Sequence, residues 1–166
     1  MMPNLLNYSR NRCTSVEQLS DHTLKSCCRL QDTLMDASVE IMVQLPDLDI
    51  TDVKAEVHRS YREECMKPSD YLKSVVGTRI GPGMLKIIKG LVGETEYCKQ
   101  LAFMVEECCH GVILSFTKGV LDSAPDDEEG MKRFFANMIK DNIRLYNRCA
   151  AFAPGSSITE GIEPPE

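Results

Sequence analysis

The feature that most restricts the fold of this chain is strict alternation from Ala37 to Leu45, where every second residue is apolar. Successive side chains of a strand point to opposite faces of a sheet, so a period of two predicts a half-buried strand. The segments Thr23–Leu30 and Val53–Val57 repeat the pattern, and Pro46-Asp47 marks a turn between strands. Short connections predict antiparallel pairing, and a fourth strand is expected from about Arg12 to Leu19.

From Pro68 onward the spacing of apolar residues changes from two to nearly four, which predicts helices. A short helix is expected to begin at Pro68, and a second runs from Met84 to Leu91. The third is the longest, with a core-facing stripe from Cys98 to Phe116 that includes Ile113. A last helix is expected from near Ser123 and Pro125 to Cys149.

Strands followed by helices define an α+β domain. We expect an N-terminal antiparallel sheet of three to four strands, with about four helices packed on one of its faces. The chain has 166 residues, of which 43% are hydrophobic, and this is enough for one sizeable core. One domain is expected over residues 1–152, followed by a disordered, acidic and proline-rich tail over 153–166.

The charge and the cysteines restrict the partners and the compartment. A net charge of −6 disfavours nucleic acid, which requires clustered lysine and arginine. No apolar stretch approaches the roughly 20 residues that span a bilayer, so no membrane association is expected. Because no secretory signal accompanies the eight cysteines, we expect a cytoplasmic protein with free thiols.

Two of these cysteines are placed where a site would be built. Cys65 follows the predicted strands, and Cys98 opens the longest predicted helix in Gly93-Glu94-Thr95-Glu96-Tyr97-Cys98. A helix N-terminus stabilises a thiolate relative to the thiol, and the thiolate is the form that binds metal. For any single cysteine, however, packing as a small apolar side chain is the commoner role.

Four landmarks of the chain carry a resemblance to a known family. They are Leu34-Met35-Asp36, Cys65, the loop Gly77–Gly83, and Cys98-Lys99-Gln100-Leu101. In this order they resemble an uncharacterised bacterial family, the domain of unknown function numbered 2889. The resemblance covers roughly residues 8–150 and implies no established activity.

The resemblance also implies a depleted site. The family usually has a histidine before the aspartate that matches Asp36, and Cys-Thr-His-Leu at the later cysteine, whereas this chain has Met35 and Gln100. Asp36, Cys65 and Cys98 remain. More distantly, the order of carboxylate, cysteine and helix-opening cysteine is similar to iron–sulfur scaffold proteins of the NifU N-terminal type. That similarity implies bound zinc or an iron–sulfur cluster, although Leu34 stands where those proteins have their first cysteine.

The leading hypothesis is therefore a binding or scaffold protein rather than an enzyme, in which Cys65, Cys98 and Asp36 hold a metal or an iron–sulfur species. Cys149 is a possible further ligand if the last two helices are antiparallel neighbours. No Cys-x-x-Cys pair of the kind common in structural zinc sites occurs in the chain.

Two alternatives remain open. In the first, the protein is an interaction module without a cofactor, and a methionine-rich helical surface contacts a protein partner. In the second, backbone amides of the 77–83 loop at Gly81 and Gly83 bind a small anionic metabolite, with positive charge from Arg79 and Lys86. A tight turn between two helices is the simpler explanation of that loop, because the Gly-Lys-Ser or Gly-Lys-Thr of a phosphate-binding loop is missing.

Overall fold

A computed structural model of the chain describes residues 7–66, 70–93, 98–147 and 149–163. The chain divides into two compact units on either side of the bond between Phe116 and Thr117. The expected start of a helix at Pro68 and the segment before Cys98 from Glu94 to Tyr97 lie outside the described residues. One domain over 1–152 with a tail over 153–166 stays a prediction.

The first unit contains a four-stranded antiparallel sheet. Its strands are β1 (Arg10–Ser20), β2 (Thr23–Asp32), β3 (Met35–Gln44) and β4 (Asp49–Ser60), and each pairs with the next in the order β1-β2-β3-β4. Short turns return the chain directly to its neighbour, which is why the pairing is antiparallel. The prediction of an N-terminal antiparallel sheet is confirmed, including the fourth strand.

Alternation decides which face of the sheet is covered. The buried face of β2 and β3 carries the residues that the period of two selects, namely Leu24, Ser26, Cys28 and Leu30, and Ala37, Val39, Ile41 and Val43. Ser26 is the polar member of this set, and its hydroxyl donates a 2.9 Å hydrogen bond to the carbonyl oxygen of Cys108. The bond satisfies a hydroxyl that would otherwise be costly to bury.

Two α-helices follow in the first unit, α1 (Met84–Val92) and α2 (Lys99–Ser115), together with two 3-10 helices, Glu63–Met66 and Asp70–Val75. Helix α2 packs across β1, β2 and β3. The approach is close at Gly111, where an added Cβ would lie 2.9 Å from Thr14 Cγ2. The absence of a side chain at this position therefore sets how near the helix lies to the sheet.

The face that α2 buries differs from the predicted stripe at its C-terminal end. Ile113 and Phe116 were expected in the core, but they are 41% and 46% exposed. Met104 and Cys108 are fully buried instead. Residues with core-facing spacing in the last turn of the helix therefore meet solvent, and that part of the prediction is wrong.

The second unit contains α3 (Thr117–Asp122), α4 (Glu128–Asp141) and two short 3-10 helices, Ile143–Leu145 and Ala150–Phe152. Asp127 is the N-cap of α4, and its Oδ1 accepts a 2.6 Å hydrogen bond from the Gly130 amide. The predicted continuous helix to Cys149 is wrong, because Asn142 leaves the helical region with φ −135° and ψ 82°. Beyond it, Leu145 lies in a 3-10 helix and Tyr146 in a turn.

The order of strands first and helices after is the α+β class that the sequence predicts. None of the helices in the described part of the chain is long and apolar enough to cross a membrane.

Candidate cysteine-pair site

The structure brings Cys65 and Cys98 together. Cys65 lies in the 3-10 helix that follows β4, and Cys98 is the N-cap of α2 with extended backbone angles of φ −72° and ψ 101°. Cys65 lies near enough to Cys98 to influence the pKa of the Cys98 thiol. Both cysteines are free and partly buried, so residues 33 positions apart in sequence contribute two sulfur atoms to one place.

The electrostatics of Cys98 combine opposing effects. Burial raises the pKa of its thiol, the nearby Cys65 raises it further, and the backbone N–H groups of Leu101 and Gln100 lower it. No N–H group makes a capping hydrogen bond to the side chain. The net direction of the pKa is upward, so the helix N-terminus does not by itself make Cys98 a thiolate at neutral pH.

Several contacts fix the position of Cys98. Its carbonyl oxygen accepts hydrogen bonds from the amides of Leu101 and Ala102 at 3.1 and 3.2 Å, which form the first turn of α2. The same oxygen accepts a 3.4 Å hydrogen bond from the Tyr71 hydroxyl. Cys98 also packs against the buried core, so the helix, the core and Tyr71 all hold it.

Asp36 does not join the pair. It lies in β3 between Met35 and Ala37, which point into the core, so its side chain is on the opposite face of the sheet. There Asp36 Oδ2 accepts a 3.2 Å hydrogen bond from Gln31, and Oδ1 lies 3.6 Å from Arg29 Nη2. The carboxylate is therefore part of a cross-strand polar cluster, away from the two sulfur atoms.

No third ligand is seen beside the two cysteines. Among the residues that the structure describes, no group of three or more histidine, cysteine, aspartate or glutamate side chains could hold a metal ion. Cys149 belongs to the second unit and is exposed in the turn before Ala150–Phe152. Within the described part of the chain, a site at this place therefore offers two sulfur ligands.

The other buried cysteines have the character of core residues. Cys28, Cys108 and Cys109 are fully buried. Burial raises the pKa of each, to about 12 for Cys109. A thiol that stays protonated and shielded from solvent packs as an apolar group.

A cleft of about 240 Å³ opens beside the segments that carry the pair. Its lining includes Arg62, three residues before Cys65, and Gln100, two residues after Cys98, together with exposed Leu34 and Tyr61. The cleft is thus partly apolar, and its lining carries two arginines, Arg10 and Arg62, and the amide of Gln100.

Asp32 lines this cleft. It is not among the residues that the sequence predicts for a site. Its side chain is 2% exposed and accepts hydrogen bonds from Arg10 Nη2 at 2.8 Å, from Tyr8 and from the amides of Leu34 and Met35. Burial opposes ionisation, but these donors outweigh it and lower the pKa of Asp32. A sequence signal existed, because aspartate at the end of a strand often accepts hydrogen bonds from amides of the following turn.

The 77–83 loop uses its charge and backbone for structure. Arg79 makes a two-pronged contact to Asp49, with Nε to Oδ1 at 2.9 Å and Nη2 to Oδ2 at 3.1 Å, and Asp47 lies 3.6 Å away. Gly81 and Gly83 offer carbonyl oxygens to amides of the first turn of α1. Gly83 has φ +84°, a conformation that glycine adopts without strain.

Lys86 is exposed on α1 and is not part of the lining of the depression at this loop. Since Arg79 is neutralised by two carboxylates, the arrangement favours a structural turn over an anion site. The anion site stays a prediction.

Comparison of the chain with protein-family models, with curated proteins and with solved structures finds no significant match. The resemblance to the uncharacterised family and to the iron–sulfur scaffolds therefore remains an expectation from the sequence landmarks.

Proposed function

We propose that the protein is a non-enzymatic metal-binding scaffold or carrier whose site is the pair Cys65 and Cys98. The observation that supports the proposal is the proximity of these two thiols near the start of α2, where Cys65 influences the pKa of Cys98. Two adjacent sulfur ligands favour soft or borderline metals such as zinc, copper(I) or the iron of an iron–sulfur species. The site is proposed without Asp36, which lies on the other face of the sheet.

Two thiolates do not complete the coordination of zinc, which takes four ligands in structural sites. The remaining positions would be filled by water, by a small ligand or by side chains of a partner. Such an incomplete shell suits transfer of the metal rather than permanent storage. This is the reason that a carrier fits the pair better than a structural metal centre does.

Protons must leave when metal binds. Because the pKa of Cys98 is raised, this thiol is protonated at neutral pH and binding releases its proton. Apparent affinity should therefore increase with pH across the neutral range. Two cysteines that the fold holds close together would bind a metal ion with less loss of side-chain freedom than two independent exposed cysteines.

The test is purification without oxygen, followed by measurement of iron, zinc and acid-labile sulfide together with the visible spectrum. The proposal predicts metal in the wild type and in Cys149→Ser, and its loss in Cys65→Ala with Cys98→Ala. Metal retained in the double variant would contradict the assignment. If the wild type is isolated without metal, it is reconstituted with zinc or with iron and sulfide. Metal uptake that depends on Cys65 and Cys98 would show an empty site, and no uptake would show that there is no site.

The alternative of an interaction module with a methionine-rich helical surface stays a prediction. Met84 and Met104 are buried in the core of the first unit, so these two cannot contact a partner.

A further inference from the structure

The two edges of the sheet differ in how they are protected. Strand β1 forms one edge and β4 the other. An edge strand presents unpaired N–H and C=O groups, and soluble proteins usually cover, bend or shorten such edges, or place lysine or proline there. The edge that lacks such protection is therefore the one at which a strand of another molecule can pair.

The β4 edge is protected in three ways. At its start, the Ile50 amide donates to Thr78 O at 3.0 Å, and the Gly77 amide donates to Ile50 O at 2.7 Å, so a neighbouring segment already occupies the edge. Two register shifts against β3 distort the strand. Lys54, with a side chain that is 74% exposed, adds a charge in the middle.

The β1 edge has none of these devices over most of its length. It runs for 11 residues, contains neither proline nor lysine, and has its one register shift only at the far end, between Gln18 and Ser20. All its residues are exposed except Thr14 and Val16, which are half-buried. Within the described residues, no segment other than β2 bonds to its backbone.

We propose that β1 is a homodimerisation edge, at which two copies of the chain pair their β1 strands antiparallel into one continuous eight-stranded sheet. A pairing of this length would form about ten backbone hydrogen bonds. The partner is a second copy because a two-fold axis between identical strands satisfies both exposed edges at once. Since β4 is protected, a head-to-tail contact of β1 with β4 of another copy is disfavoured, and the assembly closes at two.

The charges of β1 select the antiparallel direction. Arg10 and Arg12 lie in its first half and Glu17 in its second. Antiparallel pairing brings the arginine end of one strand to the glutamate end of the other, whereas parallel pairing would place arginine beside arginine. All three side chains already have partners within the chain, namely Asp32, Glu107 and Lys25, so they influence direction more than strength.

The first measurement is sedimentation equilibrium of the full chain in reducing buffer over a wide concentration range. The reductant removes dimers linked through the exposed Cys13 and Cys149. We expect a mass twice the monomer's 18.6 kDa, with dissociation on dilution. A monomer at every concentration would overturn the proposal.

A pair of proline variants tests whether β1 is the interface. Neighbouring residues of a strand direct their N–H groups to opposite edges, so one of Thr14→Pro and Ser15→Pro removes an N–H that points to solvent. That variant should keep the fold and become monomeric. The controls Thr14→Ala and Ser15→Ala retain the N–H groups and should stay dimeric. A dimer that persists in both folded proline variants contradicts an interface at β1.

Hydrogen exchange on the wild type decides the matter if the proline variants do not fold. Alternate β1 amides should be protected at high protein concentration and lose protection on dilution below the dimer's dissociation range. Amides of β3, which are paired within the chain, serve as the internal reference. Outward-pointing β1 amides that exchange equally fast in dimer and monomer would rule out the edge pairing.

Discussion

Replacing Gly111 with alanine tests how closely α2 packs on the sheet. The new Cβ would lie 2.9 Å from Thr14 Cγ2, 3.3 Å from Val16 Cγ2 and 3.4 Å from Ser26 Oγ. Thr14 and Val16 are β-branched and stiff, so they give way only if β1 or α2 moves. Helix propensity favours alanine over glycine by about 1 kcal/mol, while overpacking costs about 1–3 kcal/mol. The net expectation is a variant between neutral and about 2 kcal/mol less stable than wild type.

Gly90→Ala is the matched control. Gly90 is an exposed position of α1, and an added Cβ there meets nothing within 4 Å. Because only the helix propensity changes, the free energy of unfolding of this variant should rise by about 1 kcal/mol. Urea unfolding followed by circular dichroism at 222 nm, roughly the wavelength at which helix content is read, gives both free energies of unfolding. Equal stabilisation by the two substitutions would refute the close approach of α2 to β1.

Three further predictions concern carboxylates and thiols. Asp32→Ala should lower the free energy of unfolding by about 2 kcal/mol at neutral pH, because it removes the acceptor of the buried Met35 amide and of the partly exposed Arg10 and Tyr8 donors. Because the folded-state pKa of Asp32 is lowered, this contribution fades as pH falls below the usual aspartate range, and urea curves of variant and wild type should converge in acid. Asp127→Ala removes the N-cap of α4 and should cost about 1 kcal/mol in thermal unfolding, whereas Asp126→Ala should cost little; equal losses would contradict the cap. Cys109, buried with a pKa of about 12, should resist iodoacetamide at neutral pH while exposed Cys13 reacts, and rapid labelling of Cys109, read by peptide mass spectrometry, would contradict its burial.

The strands were predictable from the sequence because their physical signal is local. Leu24 to Leu30 and Ala37 to Val43 alternate without a break, and every residue assigned to the inner face is buried. A period of two leaves one arrangement in which all of these side chains avoid water. The antiparallel order was predictable from the turns between the strands, because they are too short for a crossover connection.

The position of Asp36 was also within reach of the sequence. Ala37 begins the inner face, so the period of two by itself places Asp36 on the outer face. The resemblance to a family with an aspartate at this place suggested a ligand, and the alternation argued against it. The fold follows the alternation.

Helix ends were harder to predict, because they depend on distant contacts. Ile113 and Phe116 continue the spacing of buried residues on α2, yet both are exposed. Beyond Asn142 the apolar residues still follow helical spacing, but the backbone turns away. Spacing shows which side chains share a face, whereas the neighbouring element decides whether that face is covered.

The proximity of Cys65 and Cys98 was only partly predictable from the sequence. The sequence placed one cysteine after the strands and the other at a helix start, but nothing local determines the distance between them. It depends on how the segment after β4 returns to the start of α2, which is tertiary packing. The raised pKa of Cys98 is likewise invisible in sequence, because it comes from burial that outweighs the helix N-terminus.

The most direct test of the two-thiolate site is a cadmium titration of the reduced, metal-free protein, followed by sulfur-to-cadmium charge-transfer absorption in the ultraviolet. The account predicts an intensity of two thiolates per bound ion, with proton release, reduced by both Cys65→Ser and Cys98→Ser and unchanged by Cys13→Ser with Cys149→Ser. Unchanged absorption in the variant that lacks both Cys65 and Cys98 would show that the pair is packing rather than a site.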